Sequence, residues 1–565
     1  MNELILEPLK YYKDYAKERH KNNLLECFDE LVIKSGINVE QNRATVKKYN
    51  EQLEKIKAID KKIKRYKIFR VILIILASLS LLGLIIGGVL ISSSGPVGLV
   101  LCLFSLFLGV ASLLLIFLVI NKKIKKQNEI RTKECEYAFE LRSEAEGQMA
   151  PLNALFDDKI THRMIEKTMP ELKIYDTYTQ EHQKLLIDEY DYIDLTDDET
   201  SVIDAISGTL FDNPYLYERY ISHMMGTHTY HGTLLIRWTE MRRDSNGKLR
   251  RVSRTQTLHA SVVKPRPEYH TLTHLGYGSQ TAPRLSFSRT ESDTDELSER
   301  ALRRRIKAGE KKLEKREERA ISNDDSFQAM ANSEFDVLFG AHDRNNEVEF
   351  RLMYTPLAQN NTVDLLRSKD GYGDDFNFIK QGRYNIIKSN HAQVWDMGTS
   401  PEKYRSYSVD ISREQFLSVN EEYFKSVFFD FAPLMAVPAY QDEPVASMRK
   451  VNYDTNFTQY EHEVLANTIG ESAFAPRDAR TRSILKTTAS KSGESDRVTV
   501  TAHSYVTADR VEFVSTFGGD GRFHLVPVNW VEYIPVSNTS VMTVSRDRQD
   551  TNSVYKHGLY ASVSN

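Results

Sequence analysis

The stretch VILIILASLSLLGLIIGGVLISSSGPVGLVLCLFSLFLGVASLLLIFLVI, residues 71–120, decides how this chain is read: 50 consecutive residues carry no charge. The runs 71–91 and 97–120 are each long enough to cross about 30 Å of hydrocarbon as a helix, at about 1.5 Å per residue. Between them Ser92-Ser93-Ser94-Gly95-Pro96 supplies turn formers and a helix breaker, the pattern of a tight re-entry. Lys61, Lys62, Lys64, Arg65, Lys67 and Arg70 precede the first run, and Lys122, Lys123, Lys125 and Lys126 follow the second. Short basic flanks stay cytoplasmic, which predicts a two-span hairpin in a cell membrane with both termini inside.

A buried hairpin of a water-soluble protein would keep a polar face over each run, and a cleaved signal sequence would not begin so far from the start. Gly83 and Gly87 form a Gly-x-x-x-Gly followed by Gly88. That spacing either lets two helices approach closely or reflects the general abundance of glycine in membrane helices. No Asp, Glu, Lys, Arg or His lies in either run, so the hairpin reads as an anchor and not as a transport path.

With 565 residues there is room for two or three further domains. A net charge of −3 and a pI near 6.6 give no global basicity, and no specific nucleic-acid partner is expected. Cys27, Cys102 and Cys135 are the three cysteines. Everything after Cys135 is therefore without disulfides, cysteine metal sites or a cysteine nucleophile, in keeping with a reducing cytoplasm.

The flanks of the hairpin read as helix. Leu24, Leu25, Phe28, Leu31 and Val32 form one apolar stripe, which Ser35-Gly36-Ile37-Asn38 interrupts. Val46, Tyr49, Leu53 and Ile56 recur near heptad spacing before the hairpin, and Ile124, Ile130, Tyr137, Leu141 and Leu152 follow it. Two helices leaving one membrane face would pair as a coiled-coil-like stalk, or stand as independently solvated helices. Residues 180–205, with Glu181, Asp188, Glu189, Asp191, Asp194, Asp197, Asp198 and Glu199, lack calcium-loop spacing and read as a solvated acidic linker.

From Ser207 strands are expected. Residues 227–264 predict a long β-hairpin turning at Asp244-Ser245-Asn246-Gly247. Arg242, Arg243, Arg250, Arg251 and Arg254 cluster near that turn; they would meet anionic lipid, nucleic acid or the acidic segment, or simply keep an edge ribbon solvated. Among His223, His228, His231, His259, His270 and His274, the pair His228 and His231 would diverge on a strand, so no metal site is expected.

Residues 296–321 read as a basic helix. Arg300, Arg303, Arg304, Arg305, Lys307, Lys311, Lys312, Lys315, Arg316 and Arg319 alternate with Glu299, Glu310, Glu314, Glu317 and Glu318. So few apolar residues predict a helix that projects into solvent as a connector, or docks on an acidic partner or an anionic lipid surface.

Residues 335–440 should hold the main core, an antiparallel-rich α+β arrangement. Strands are expected at 335–339, 348–354, 384–387 and 392–395, and helices at 362–366 and 414–420. Pro433 and Pro438 argue against one helix over 424–440. Phe335-x-Val337, Asn346-Glu347-Val348-Glu349-x-Arg351, Tyr354-Thr355-Pro356 and Leu365-Leu366 together resemble a bacterial two-transmembrane family of unknown function. That resemblance implies a two-span hairpin with helical flanks and a cytoplasmic α/β region containing a strand pair, and implies no activity.

Residues 476–495 read as a linker, 496–548 as β-rich around Gly518-Gly519-Asp520-Gly521, and 549–565 as a disordered tail. There is no phosphate-binding glycine loop, nucleophile elbow or kinase signature. Gly371-Tyr372-Gly373-Asp374-Asp375 sets paired carboxylates next to glycines, which suits a metal or phosphate-bound magnesium but is more in keeping with a plain loop than with a catalytic site.

The expected fold class is thus an α+β membrane protein: N-terminal cytoplasmic helices (1–66), a transmembrane helical hairpin (67–121), and a helical stalk with acidic linker (122–205). An α+β head (206–475), the linker, the β-rich segment and the tail follow. The function expected is a membrane-tethered cytoplasmic interaction or scaffold protein, with the bilayer and a protein partner or second copy as partners, and no cofactor or metal. The interaction surface expected is Arg242, Arg243, Arg250 and Arg251 with Arg300, Arg303, Arg304, Arg305, Lys307, Lys311 and Lys312. The alternatives are a membrane-bound hydrolase at the inner leaflet, marked by a pocket converging on Asp374, Asp375 and several histidines, or an accessory subunit of a larger membrane complex.

Overall fold

The computed structural model describes residues 5–175, 177–243, 248–323, 327–394, 400–441, 457–492, 495–546, 553–556 and 559–563. Its helices are α1 (Pro8–Tyr11), α2 (Lys17–Ser35), α3 (Val39–Ser94), α4 (Pro96–Leu114), α5 (Asn121–Asn153), α6 (Ile160–Thr168), α7 (Gln180–Tyr190), α8 (Glu299–Ser322) and α9 (Ser333–Phe339). They continue with α10 (Glu347–Met353), α11 (Pro356–Arg367), α12 (Asn390–Val394), α13 (Val409–Met435) and α14 (Gln459–Ile469). The strands are β1 (Leu172–Tyr175), β2 (Thr200–Leu210), β3 (Asn213–Arg243), β4 (Leu249–Gly278), β5 (Ser286–Arg289), β6 (Phe376–Gln381) and β7 (Tyr384–Ser389). A second set comprises β8 (Ile484–Ser492), β9 (Ser495–Phe517), β10 (Phe523–Ser545), β11 (Val554–Lys556) and β12 (Leu559–Val563). The fold is mixed helix and antiparallel sheet. Two compact units interleave along the sequence, one from 21–161 and 399–421, the other from 1–20, 162–398 and 422–565.

The smaller unit is helical. Asn38 caps α3 by accepting from the Gln41 amide, and the helix then runs without a break for 56 residues. The turn is tighter than its sequence suggests: residues 92–94 stay helical, and Gly95 alone, with φ +34°, separates α3 from Pro96 at the start of α4. Windows within α3 and within the helix that continues α4 through α5 are long and apolar enough to cross a membrane.

Their packing is inverted relative to a water-soluble hairpin. Ser80, Ser105 and Ser112 are buried, while Leu81, Ile85, Val100, Phe104 and Phe107 are exposed. A Cβ at Gly87 would come within 2.7 Å of the Cys102 sulfur, one at Gly83 within 2.5 Å of the Ser105 hydroxyl, and one at Gly109 within 2.5 Å of the Ser80 hydroxyl. Both glycines of the Gly-x-x-x-Gly therefore face the neighbouring helix. Small residues that let two backbones approach, with large apolar ones turned outward, are how helices pair when the solvent is hydrocarbon.

Beyond the charge-free runs α3 and α5 lie alongside each other. Tyr49 and Ile56 bury against Ala138 and Leu141, and Tyr66 joins Leu73, Ile120 and Ile124. Arg131 pairs with Asp60 at 2.6 Å. Asn42 accepts from the Val409 amide and donates to the Tyr407 carbonyl, pinning 407–409 to α3.

The larger unit is built on a seven-stranded antiparallel sheet, in the order β1-β2-β3-β4-β7-β6-β5. One face carries the main core, where Tyr215, Leu275, Phe287, Phe378 and Ile387 meet Phe335, Phe350, Leu366, Phe424, Phe428 and Phe431 from the helices. The other face packs Val202, Leu216, Tyr220, Tyr384 and Ile386 against Leu186, Tyr190, Tyr460 and Val464. A second sheet, β11-β12-β10-β9-β8, has its own core of Leu485, Val498, Val500, Met542 and Val544.

Several expected elements differ. Residues 335–339 and 348–353 are helical, not strands: Asn332 and Asn346 cap α9 and α10, accepting from the Phe335 and Glu349 amides. Phe335, Leu338 and Phe339, like Phe350, Met353 and Tyr354, are spaced for one face of a helix. Residues 390–394 form a helical turn, from which the Gln393 side chain bonds both the amide and the carbonyl of Thr273 in place of a strand. Helix α13 ends at Met435, two residues past Pro433, so 424–440 is not one helix, as its prolines imply. The acidic segment is no linker but α7, a loop and the start of β2. Strand β8 occupies 484–492 within the expected 476–495 linker, and β11 and β12 lie in the expected tail.

Candidate interaction surface

Strands β3 and β4 pair without a register break from Tyr215–Tyr277 to Arg243–Leu249. Within the sheet β2 reaches only to Ser222, and β7 only to Leu275. The rest is a two-stranded ribbon leaving the sheet as an arm. Its turn, 244–247, lies outside the described residues.

One face of the arm is covered by the ribbon of β9 and β10. Ile236, Leu258 and Val526 bury together, with Leu234, Trp238 and Ala260 around them. A Cβ at Gly232 would sit 2.1 Å from the Pro527 carbonyl oxygen, so only glycine admits this backbone approach. Lys264 pairs with Glu512 and lies 4.6 Å from the Trp530 ring centre, and the Gly519 amide donates to Gln256 at 2.7 Å. Two marginal ribbons thus stabilise each other as a two-layer arm.

The expected hairpin residues all fall near its end. Arg242 stands directly across from Arg250, Arg243 across from Leu249, and Met241 across from Arg251. All four arginines are exposed. Glu240 holds Arg254 at 2.9 Å. The acidic segment engages other groups: Glu199 pairs with His223, and Asp194 accepts from Tyr460 at 2.7 Å.

The basic helix α8 corrects an expectation. It does not stand free but docks on its own unit through Leu302, Leu313 and Ala320, with Ile306 packed beside them and Gly309 against Val337. Positions 302, 306, 309, 313 and 320 share one helical face, a thin stripe that the surrounding charges obscure in the sequence. Arg316 lies 4.4 Å from the Phe327 ring centre, and Arg305 donates to the Ser292 carbonyl. Arg300, Arg303, Arg304, Lys307, Lys311 and Lys312 point to solvent, and the first four line a shallow groove with Glu299.

The paired carboxylates of 371–375 are both committed to internal partners. Asp374 is fully buried against Arg289, whose pKa burial lowers and Asp374 only partly restores. Asp375 accepts from His391 Nδ1 at 2.5 Å, and His391 Nε2 lies 3.2 Å from Asp430. Tyr217 donates to the other Asp430 oxygen at 2.6 Å, and Tyr372 stacks on the imidazole at 3.8 Å. Burial opposes the His391 charge, but Asp430 and Asp375 more than offset it and raise its pKa to about 10. An imidazolium held this way is a structural cation, not a general base at neutral pH. Sequence reasoning missed His391, Asp430 and Tyr217, which are far apart in the chain and share no motif.

Among the described residues no group of three or more His, Cys, Asp or Glu side chains could hold a metal ion. His231 and His259 fall on one face of the arm and His228 on the other, as alternation on a strand requires. Compared with protein-family models, curated proteins and solved structures, the chain matches none. The resemblance drawn from residues 335–366 therefore adds nothing to the reading of the site.

Proposed function

We propose that this protein is a membrane-tethered interaction or scaffold protein, anchored by the hairpin of α3 and α4 and presenting its larger unit to partners in the cytoplasm. The observation that carries the reading is the inverted packing of that hairpin, with serines and glycines inside and leucines, isoleucines and phenylalanines outside. In water those exposed side chains would form an apolar patch far larger than monomers tolerate. The paired segments of α3 and α5 suit a stalk, and the basic flanks suit termini on the cytoplasmic side. His391 lends no support to a hydrolase, because both of its ring nitrogens are occupied by carboxylates.

The test is topological. A cysteine introduced by Ser93→Cys should react with a membrane-impermeant thiol reagent on intact cells, while Cys27 and Cys135 react only after permeabilisation. Labelling of Cys135 on intact cells, or release of the chain from membranes by alkaline carbonate, would overturn the proposal.

A further inference from the structure

We infer that the row Arg219, Thr273 and Ser389, at one end of the seven-stranded sheet, binds the phosphate group of a soluble monoester or a lipid head group. The site is independent of the membrane tether. Arg219 and Thr273 stand directly across from each other on β3 and β4. Ser389 is the last residue of β7, and Gln393 ties it to Thr273. The Gln393 Nε2 donates to the Thr273 carbonyl at 2.7 Å and to the Ser389 carbonyl at 3.0 Å. Alternation along the strands puts all three side chains on the face of Tyr217, Leu275 and Ile387, one step beyond the main core.

What marks the row is polarity without internal partners. Thr273 and Ser389 are 1% and 2% exposed, and neither hydroxyl has a hydrogen-bond partner among the described residues. Nε and Nη1 of Arg219 are buried and equally unpartnered. By contrast, the buried Arg289 and Arg344 of the same unit meet Asp374 and Asp336. The carboxylates around Arg219 are engaged elsewhere. Asp204, across from it on β2, pairs with Lys556 at 3.0 Å, and Asp430 holds His391 and Tyr217. A guanidinium shielded from water without an acceptor costs free energy, and so does each lone hydroxyl.

The chemistry of the row selects its ligand. Water satisfies hydroxyls but brings no countercharge to a guanidinium. A carboxylate has two oxygens, which one arginine fills by itself. A phosphate has oxygens left for two hydroxyls, and its geometry suits the planar donors of arginine. Arg219 is half-buried, so the phosphate enters at that end of the row and leaves the rest of its molecule in solvent.

The full chain in a neutral detergent, exchanged into chloride buffer, is titrated with inorganic phosphate at constant ionic strength. We expect a melting temperature that climbs with phosphate concentration, and a saturable broadening of the phosphorus-31 signal. Arg219→Gln should weaken binding about tenfold or more, and Thr273→Val and Ser389→Ala should each weaken it less. In chloride alone the two hydroxyl variants should melt no lower than the parent, because a hydroxyl without a partner takes nothing with it. They carry the test if Arg219→Gln fails to fold. Glycerol phosphate in solution and phosphatidic acid in the micelle then compete with inorganic phosphate, and the one that displaces it identifies the source. No phosphate dependence in the parent overturns the inference. So does a response that survives all three substitutions, or a loss of stability in chloride on removing either hydroxyl.

Discussion

The charge-free hairpin and the core of the larger unit differ in what they bury. Between α3 and α4 the buried polar groups among the described residues are serine hydroxyls, and no Asp, Glu, Lys, Arg or His occurs over 50 residues. In the larger unit Arg289 with Asp374, Arg344 with Asp336, and His391 with its two aspartates are buried together. A domain that folds from water can enclose charges when each meets a partner, because the ion pair and its hydrogen bonds offset desolvation. A hairpin surrounded by hydrocarbon, as proposed for α3 and α4, would have no such reserve and would keep every charge out of its span. The solvent decides which residues face outward in both.

The sharpest way to break this comparison is to remove one partner from the interior of the larger unit. His391→Gln leaves Asp430 buried beside Asp375 without its cation, and should cost about 3–5 kcal/mol. Chemical denaturation of the full chain in mild detergent would measure it. A loss under about 1 kcal/mol would mean that His391 is not held as a cation, and the contrast with the hairpin would weaken.

The hairpin should fail by the opposite route. Phe107 is 73% exposed, so Phe107→Asp would be harmless or helpful if water surrounded it. In a bilayer the carboxylate near mid-span costs about 3 kcal/mol, read as lost membrane insertion in a glycosylation-reporter assay. Unchanged insertion would sink the anchor reading.

Buried charges also set the dependence of stability on pH, and two of them work in opposite senses. The pKa of His391 is raised from 6.5 to about 10, so its contribution is complete below pH 6.5 and is lost as pH rises through 10. Burial lowers Lys380 from 10.5 to about 7, while Glu349 acts weakly the other way. Between pH 7 and 10.5 the unfolded chain holds this proton and the folded chain does not, so stability rises with pH. Each slope is at most about 1.4 kcal/mol per pH unit. Denaturation series from pH 7 to 10 should show H391Q gaining stability with pH relative to the parent, and K380M losing it. Parallel curves for all three proteins would remove both assignments.

Much of this architecture is legible in residues alone, and the illegible part has physical reasons. The hairpin, the arm, the helix at α11 and the strand at β7 follow from periodicity, turn chemistry and the absence of charge. Helices α9 and α10 were hidden because Phe335 to Phe339 and Val348 to Tyr354 are rich in strand formers, while the deciding groups are the capping asparagines just outside. The cluster around His391 was hidden because Asp375, His391, Asp430 and Tyr217 come from four separate segments that only the sheet and α13 bring together. Of the surface residues singled out, the hairpin arginines fall together at one end of the arm, whereas α8 turned out to be anchored along its length. Its stripe of Leu302, Ile306, Leu313 and Ala320 is too sparse to stand out among ten basic residues.

Helix α8 supplies the smallest and most pointed test, because it is the water-facing counterpart of the hairpin. Lys311 and Lys312 are exposed, on the side away from that stripe. Lys311→Glu loses its attraction to Glu314 and gains a repulsion there, but it turns the repulsion with Lys315 into a favourable i,i+4 pair. Lys312→Glu places a carboxylate one turn before Arg316, again a favourable spacing. Each such pair is worth only a few tenths of a kcal/mol, so the melting temperature of the double variant should correspond to a shift within about 0.5 kcal/mol. Two charge reversals on α8 should therefore disturb less than the single Phe107→Asp in the hairpin, although all three side chains are exposed. Equal tolerance at the two places would mean that both face water, and the comparison on which the anchor rests would fail.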